Sequence, residues 1–242
     1  MTTKCDQCPL RQLPFFDDIT HDQTAFMQRF KTGELQADAG SEILAEGASS
    51  AHLFTILSGM GLRYKSLPGG QRQVVGFVLP GDFIGLQSGV MGEMKHSVEA
   101  TTQMSLCVFN RSELWSLFKH QPERAFDITH LAASEEHLLG QSLSAVGQLD
   151  GLAKVAWLLH LFYHRLTALG LSLNRGVPLP YRQQDIADAL GLSLVHTNKC
   201  LGKLRAKGLL EWSDGRLDVY RHTELAALAQ IADVEMPPRP LI

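Results

Sequence analysis

At 242 residues, with 45% hydrophobic and 19% charged side chains, the chain has an ordinary globular composition, which excludes disordered and fibrous classes. Its net charge of −3 hides an asymmetry: residues 1–150 hold 11 Lys and Arg against 17 Asp and Glu, residues 151–222 hold 10 against 5, and residues 223–242 hold 1 against 3. A basic stretch of this kind, joined to an acidic one, points to a polyanionic partner for that stretch alone. No apolar run reaches the ~18 residues of a transmembrane helix, so no membrane partner is expected. The opening MTTKCDQCPL lacks the apolar stretch of a secretory signal, and the expected location is the cytoplasm. Four cysteines are too few for a disulfide scaffold.

Residues 1–16 are polar and carry Cys5 and Cys8. Residues 22–32 predict a small helix with Phe26, Met27 and Phe30 on one side. From about 35 to 110, short apolar runs alternate with turn residues: Glu42–Ala45, His52–Leu57, Leu62–Ser66, Gln73–Leu79, Ser97–Thr102 and Ser105–Phe109. The turn signals Ser58-Gly59, Pro68-Gly69-Gly70 and Pro80-Gly81-Asp82 lie between them, and many short strands so spaced imply a sandwich or a barrel.

Residues 111–149 switch to helical spacing. Leu131, Leu138, Leu139, Val146 and Leu149 fall close to one stripe, which fits either a coiled-coil seam or packing against the chain's own barrel. Gly147–Gly151 predicts a hinge. Residues 152–169 form an amphipathic helix, with Leu152, Val155, Ala156, Leu159, Phe162, Leu166 and Leu169 at spacings of three and four, and Gly170 stops it.

Tyr181–Tyr220 carries the functional signal. Gln183–Leu190 reads as a short helix with Ile186, Ala187 and Leu190 inward; Gly191 permits a tight turn; Ser193 caps a second helix. In that helix Thr197, Cys200, Leu201 and Leu204 make one buried stripe, and Gly208 ends it. Leu209–Trp212, the turn Asp214-Gly215 and Leu217–Tyr220 read as a hairpin. Together these elements make a winged helix-turn-helix, whose second helix enters the DNA major groove. Asn198 suits a bidentate bond to adenine, Lys199 a guanine edge or a phosphate, and Val195 a thymine methyl. Ser193 and His196, at the same end of the helix, are expected to contact DNA as well. Arg182, Gln184, Lys203, Arg205 and Lys207 suit phosphates.

An N-terminal roll, a long helix and a C-terminal winged helix resemble the CRP/FNR superfamily of bacterial transcription regulators. The resemblance covers roughly residues 8–222. It rests on Pro80-Gly81-Asp82-Phe83-Ile84-Gly85, on Gln184-Asp185-Ile186-Ala187 through Gly191-Leu192-Ser193, and on Val195-His196-Thr197-Asn198-Lys199. It implies an α+β fold: a cyclic-nucleotide-binding-like β-roll (double-stranded jelly roll), a long dimerisation helix and a winged helix-turn-helix. The implied division is an N-terminal cysteine-bearing tail 1–20, a sensor roll 21–120, a dimerisation helix and hinge 121–150, a DNA-binding domain 151–225 and a C-terminal tail 226–242. The implied protein is a regulator, not an enzyme. It is a homodimer through Leu131, Leu138, Leu139 and Val146, bound to a near-palindromic operator, with RNA polymerase as a partner if it activates.

The resemblance also bears on the signal. Cyclic-AMP receptors of the family use a Glu just after the PGDFIG-like motif and an Arg-Ser pair for the phosphate. Here Leu86 follows Gly85, and the pair becomes His96-Ser97, so an effector pocket made of Gly85, Leu86, Gln87, His96 and Ser97 is not expected to hold cyclic AMP. The oxygen sensors of the family ligate an iron–sulfur cluster through N-terminal cysteines and one roll cysteine. Cys5, Cys8 and Cys107 match three of those positions, and Pro14 stands at the fourth. A labile cluster or other metal, a thiol redox switch and bystander cysteines all stay open. A haem ligand among His52, His96 and His120 has no distinguishing signal, and His160 and His164 read as surface residues. Two other classes have less support. A thiol redox enzyme using Cys5 and Cys8 lacks the strand–helix setting of that motif, and a cyclic-nucleotide module without DNA binding leaves the helix-turn-helix unexplained.

Overall fold

The computed structural model describes residues 2–172, 174, 176–230 and 236–242. The chain divides into two compact units: residues 1–70, 75–136 and 238–242 form the first, and residues 71–74 and 137–237 the second.

The first unit opens with two short 3-10 turns, Cys5–Gln7 and Pro9–Gln12. Helix α1, His21–Phe30, starts at a capping box in which Thr20 Oγ1 accepts from Gln23 N and Gln23 Oε1 accepts from Thr20 N. Eight strands follow: β1 Lys31–Ala37, β2 Glu42–Leu44, β3 His52–Ser58, β4 Gly61–Ser66, β5 Arg72–Val78, β6 Phe83–Ile84, β7 Ser97–Ala100 and β8 Met104–Asn110. Helix α2, Leu86–Met91, lies between β6 and β7. The strands form two four-stranded sheets, ordered β1-β8-β3-β6 and β2-β7-β4-β5. Strands β1 and β6 are additions to the elements expected from sequence. Strand β1 reads poorly because Lys31, Glu34 and Gln36 break its apolar pattern, but it pairs along β8 from Lys31 to Ala37.

The β1-β8-β3-β6 sheet is covered on both faces. In β3, Phe54 and Ile56 join Leu44, Val78, Ile84, Val98, Met104 and Leu106 in one core. Leu53 instead joins Met27, Phe30, Phe83, Phe109, Leu114 and Leu117 in another. Alternate side chains of a strand point to opposite faces, so a strand buried on both faces reads as a continuous apolar run. The second core is roofed by α1, by α3 (Leu114–His120) and by the start of α4 (Pro122–Gln148). Leu131 of α4 is buried in this core beside Ala125 and Ile128. It therefore packs on its own roll and is not a seam residue.

Two stretches expected as tails are structured. Leu10, Phe15 and Phe16 of the N-terminal stretch are buried, and so are Pro240, Leu241 and Ile242.

In the second unit, Asp150 caps helix α5, Gly151–Ala168, by accepting from Ala153 N at 2.9 Å. The helix break at Leu149–Asp150 falls inside the expected hinge. Helices α6 (Gln183–Leu190) and α7 (Leu194–Ala206) and the hairpin β10–β11 (Leu210–Ser213, Arg216–Val219) follow as expected. Strand β9, Gly176–Pro178, adds a third strand beside β11. Helix α8, His222–Ala229, extends the unit past its expected end and packs on α5 with Leu225, Ala226 and Ala229 buried. His160 is 4% exposed, with its ring 4.2 Å from that of His164. The expectation of a surface pair is thus wrong for His160, because it occupies the inner face of α5. Among the described residues, no helix is long and apolar enough to cross a membrane.

One turn tests the sandwich directly. Gly59 has φ +87°, and a Cβ there would press on Gln103 O and come within 2.8 Å of Met104 Cα. Backbone cannot retreat as a side chain can. Gly59→Ala is expected to destabilise the roll by about 2–4 kcal/mol, read as a lowered urea midpoint with an unchanged m value.

Candidate nucleic-acid interface and sensor pocket

The helix-turn-helix is set by three local devices. Arg182 N donates to Asp185 Oδ2 at 2.8 Å, which starts α6. Burial raises the Asp185 carboxyl, but the bonds from Arg182 outweigh it and hold the pKa below the usual range. Gly191 takes φ +64°, and Leu192 N donates back to Ala187 O at 3.0 Å, closing α6. Ser193 Oγ then accepts from His196 N at 3.2 Å and opens α7.

The two faces of α7 separate as their spacing requires. Thr197, Cys200, Leu201 and Leu204 are all buried. Val195 is 65% exposed, and Asn198, Lys199 and Lys203 are exposed as well. Helix α7 contains no Asp or Glu, and Lys199, Lys203 and Lys207 follow one another at intervals of four. No ion pair engages these three lysines among the described residues, so their charge is available to a polyanion.

Other side chains expected at the DNA are already engaged. Arg182 pairs with Asp185 at 3.1 Å, Gln184 with Asp188 at 2.5 Å and Arg205 with Glu211 at 2.7 Å. Arg182 and Arg205 are more than half exposed, so these pairs are cheap to exchange for phosphate. The ring of His196, exposed on α7, lies against Gly151 at the start of α5. Cys200 is buried, and burial raises its thiol pKa.

In the roll, the expected effector residues are tied up by the fold. Gly85, at φ +92°, is the N-cap of α2, and Leu86 packs against the helix-roofed core. Gln87 Oε1 accepts from Lys95 N at 3.0 Å, and Ser97 Oγ accepts from Glu46 N at 2.9 Å. Burial, reinforced by Arg63 and Lys65, lowers the His96 pKa to about 4, so its ring is neutral at pH 7. Arg63 is the cation that sequence reading missed. It is 8% exposed in β4 and paired with Glu135 of α4. An arginine among the inward positions of a short strand was the available signal.

The three expected metal-site cysteines do come together. Cys5, Cys8 and Cys107 line one pocket with Arg11, Lys31, Thr55, Leu241 and Ile242. Burial raises the Cys5 thiol and takes Cys107 to about 11, against the opposing pull of Lys31. Burial lowers Arg11, and its Nε and Nη1 have no partner. An iron–sulfur cluster does not fit this donor set. Among the described residues no three His, Cys, Asp or Glu side chains could hold a metal ion, and Pro14 offers no donor. The free space is about 20 Å³, room for roughly one water.

Residues 34–121 match the cyclic nucleotide-binding domain family and residues 154–231 the Crp-like helix-turn-helix domain. The nitrogen fixation regulation protein FixK of Bradyrhizobium diazoefficiens is 30% identical over 191 residues, 79% of each chain. The transcriptional activatory protein AadR of Rhodopseudomonas palustris is 30% identical over 188 residues, 76% of this chain and 77% of its own. The structure of FixK2 from Bradyrhizobium japonicum superposes with a TM-score of 0.74 at 26% identity, covering 83% of this chain and 98% of that one. With its roll, long helix and DNA-reading helix-turn-helix, the chain belongs to the CRP/FNR family of DNA-binding transcription regulators and is not an enzyme.

Proposed function

We propose that the protein acts in the cytoplasm as a homodimeric regulator that reads a near-palindromic operator and responds to a small signal other than cyclic AMP. The observation that carries the proposal is α7, with its buried stripe and its exposed Val195, Asn198 and Lys199. A helix so faced can enter the major groove without giving up its own core. Asn198 has the donor–acceptor pair that adenine needs, and Lys203 and Lys207 lie toward the phosphates. Relatives named as activators, AadR among them, support activation through RNA polymerase.

Dimerisation follows from the second half of α4. Leu139 is 50% exposed and Leu143, four residues on, 74% exposed. Leu138 and Val146 are half-buried within the chain. The seam is therefore centred on Leu139 and Leu143, neighbours on one helix face. A two-fold dimer places two recognition helices on successive major grooves, which supplies interactions that one half-site lacks.

The signal side rests on the roll. Ser97 and Gln87 serve backbone amides, the His96 ring is uncharged, and no Glu follows Gly85. That arrangement leaves no fork for a cyclic phosphate and no carboxylate for a ribose. The thiol pocket is the other chemically distinct feature of the roll, and it is where we place signal reception.

The expected outcomes are these. Asn198→Ala relaxes base choice at one position per half-site and costs about 1–3 kcal/mol there. Lys203→Ala weakens binding alike on all sequences and lowers the salt slope by about one for each phosphate no longer neutralised; wild-type behaviour of both in a gel shift would refute the reading. Leu139→Glu with Leu143→Glu converts the dimer to monomer in sedimentation and abolishes operator binding, because carboxylates cannot be buried in an apolar seam unpaired. Calorimetry with cyclic AMP finds no binding tighter than about 0.1 mM, or roughly −5.5 kcal/mol.

A further inference from the structure

The segment Pro238–Ile242 lies outside both matched domains, yet it is part of the first unit. It is held in three ways. Its backbone forms a parallel bridge with Phe16: Arg239 N donates to Phe15 O and Asp17 N donates to Arg239 O, each at 3.0 Å. The Arg239 guanidinium donates to Asp82 Oδ1 at 2.8 Å and lies 5.5 Å from the ring centroids of both Phe15 and Phe16. Leu241 and Ile242 are 2% and 4% exposed, and Thr55 Oγ1 donates to Ile242 O at 2.6 Å.

These interactions have the logic of peptide recognition. Backbone pairing aligns an extended chain, a side-chain slot takes a cation, and an apolar pocket takes the following residues. Pro238 and Pro240 flank Arg239 and keep the segment from folding into a helix, which lowers the entropy lost on docking. Asp82 is 1% exposed, so its carboxylate is a buried anion built to meet a cation. Linkage through the chain raises the local concentration of the segment, so a modest affinity keeps the slot filled.

The occupied slot is also the wall of the thiol pocket. Leu241 and Ile242 line the same cavity as Cys5, Cys8 and Cys107, and Arg11 Nη2 donates to Leu241 O at 3.4 Å. We propose that the roll carries a binding slot for an extended Arg-Pro-Leu-Ile segment, occupied in cis by residues 239–242, and that its occupancy closes the thiol pocket. Cys5, Cys8 and Cys107 are half-buried with the segment in place, and its withdrawal exposes them further to reagents. The slot does not depend on what the thiols sense.

The test uses the full chain with Arg239→Ala and Leu241→Asp, labelled with N-ethylmaleimide under native conditions and read cysteine by cysteine by mass spectrometry. Cys5 and Cys107 are expected to react at least roughly ten-fold faster than in wild type, as a local opening would allow. Cys200, in the second unit, is expected to keep its wild-type rate. A synthetic peptide of residues 236–242, at millimolar concentration, is expected to restore protection. If the double variant fails to fold, Leu241→Ala with the same peptide gives the same comparison. Unchanged labelling at Cys5 and Cys107 would overturn the slot. So would equal acceleration at Cys200, which would make the segment general structural cement, and so would failure of the peptide to protect.

Discussion

Burial of the β1-β8-β3-β6 sheet on both faces is the constraint on which the first unit depends. Because β3 and β8 send successive side chains into two different cores, neither face can be left to solvent. The second sheet covers one face. The other needs a roof, and the chain builds it from α1, α3, the first turns of α4 and Ile242. That need explains why Leu131 is not available to a partner, and why Leu139 and Leu143, past the end of the roll core, are. It also explains why the cysteines meet where they do. Cys107 lies on the roofed side of β8, under the N-terminal turns that carry Cys5 and Cys8.

The roofed layer concentrates charge as well as apolar surface. Arg11 and Lys31 stand beside three thiols, and burial opposes every charged form there: it lowers Arg11, raises Cys5 and takes Cys107 to about 11. Lys31 is compensated by Glu34 at 2.7 Å, whereas Arg11 Nε and Nη1 have no partner, and in the closed pocket burial favours the thiol form of Cys5 and Cys107. Burial thus holds Cys5 and Cys107 toward the less nucleophilic thiol form. Three donors, one proline and a space the size of a water do not make a cluster site.

The DNA-binding unit works by a simpler division of labour. Its core is an α5-centred layer in which Phe162 stacks on Tyr181 at 5.2 Å and Trp212 Nε1 donates to Leu179 O at 3.1 Å. These interactions fix the hairpin and α6, and α7 is held through Thr197, Cys200, Leu201 and Leu204. Nothing on the outward face of α7 is needed for folding, so its side chains are free to be chosen for base contact.

The legible parts of the sequence were those governed by neighbours in the chain. The bounds of α6, the Ser193 cap, the Gly191 turn, the buried stripe of α7 and the Asp214-Gly215 hairpin follow from spacing and turn chemistry within about forty residues. Most roll strands were legible for the same reason, and the family resemblance supplied their arrangement. What the tertiary structure alone decided involves partners far apart in sequence. Strand β1, with Lys31 and Glu34 in it, is a strand because β8 lies alongside. Arg63 is tolerated inside β4 because Glu135 reaches it. Leu131 and Leu139 belong to one helical pattern, yet only the roll determines that the first is covered and the second is not. Periodicity identifies an apolar face but not what covers it. For the same reason, the proline-rich end of the chain, unremarkable as a sequence, becomes the wall of the cysteine pocket only once Asp82, Thr55 and Phe16 are folded into place around it.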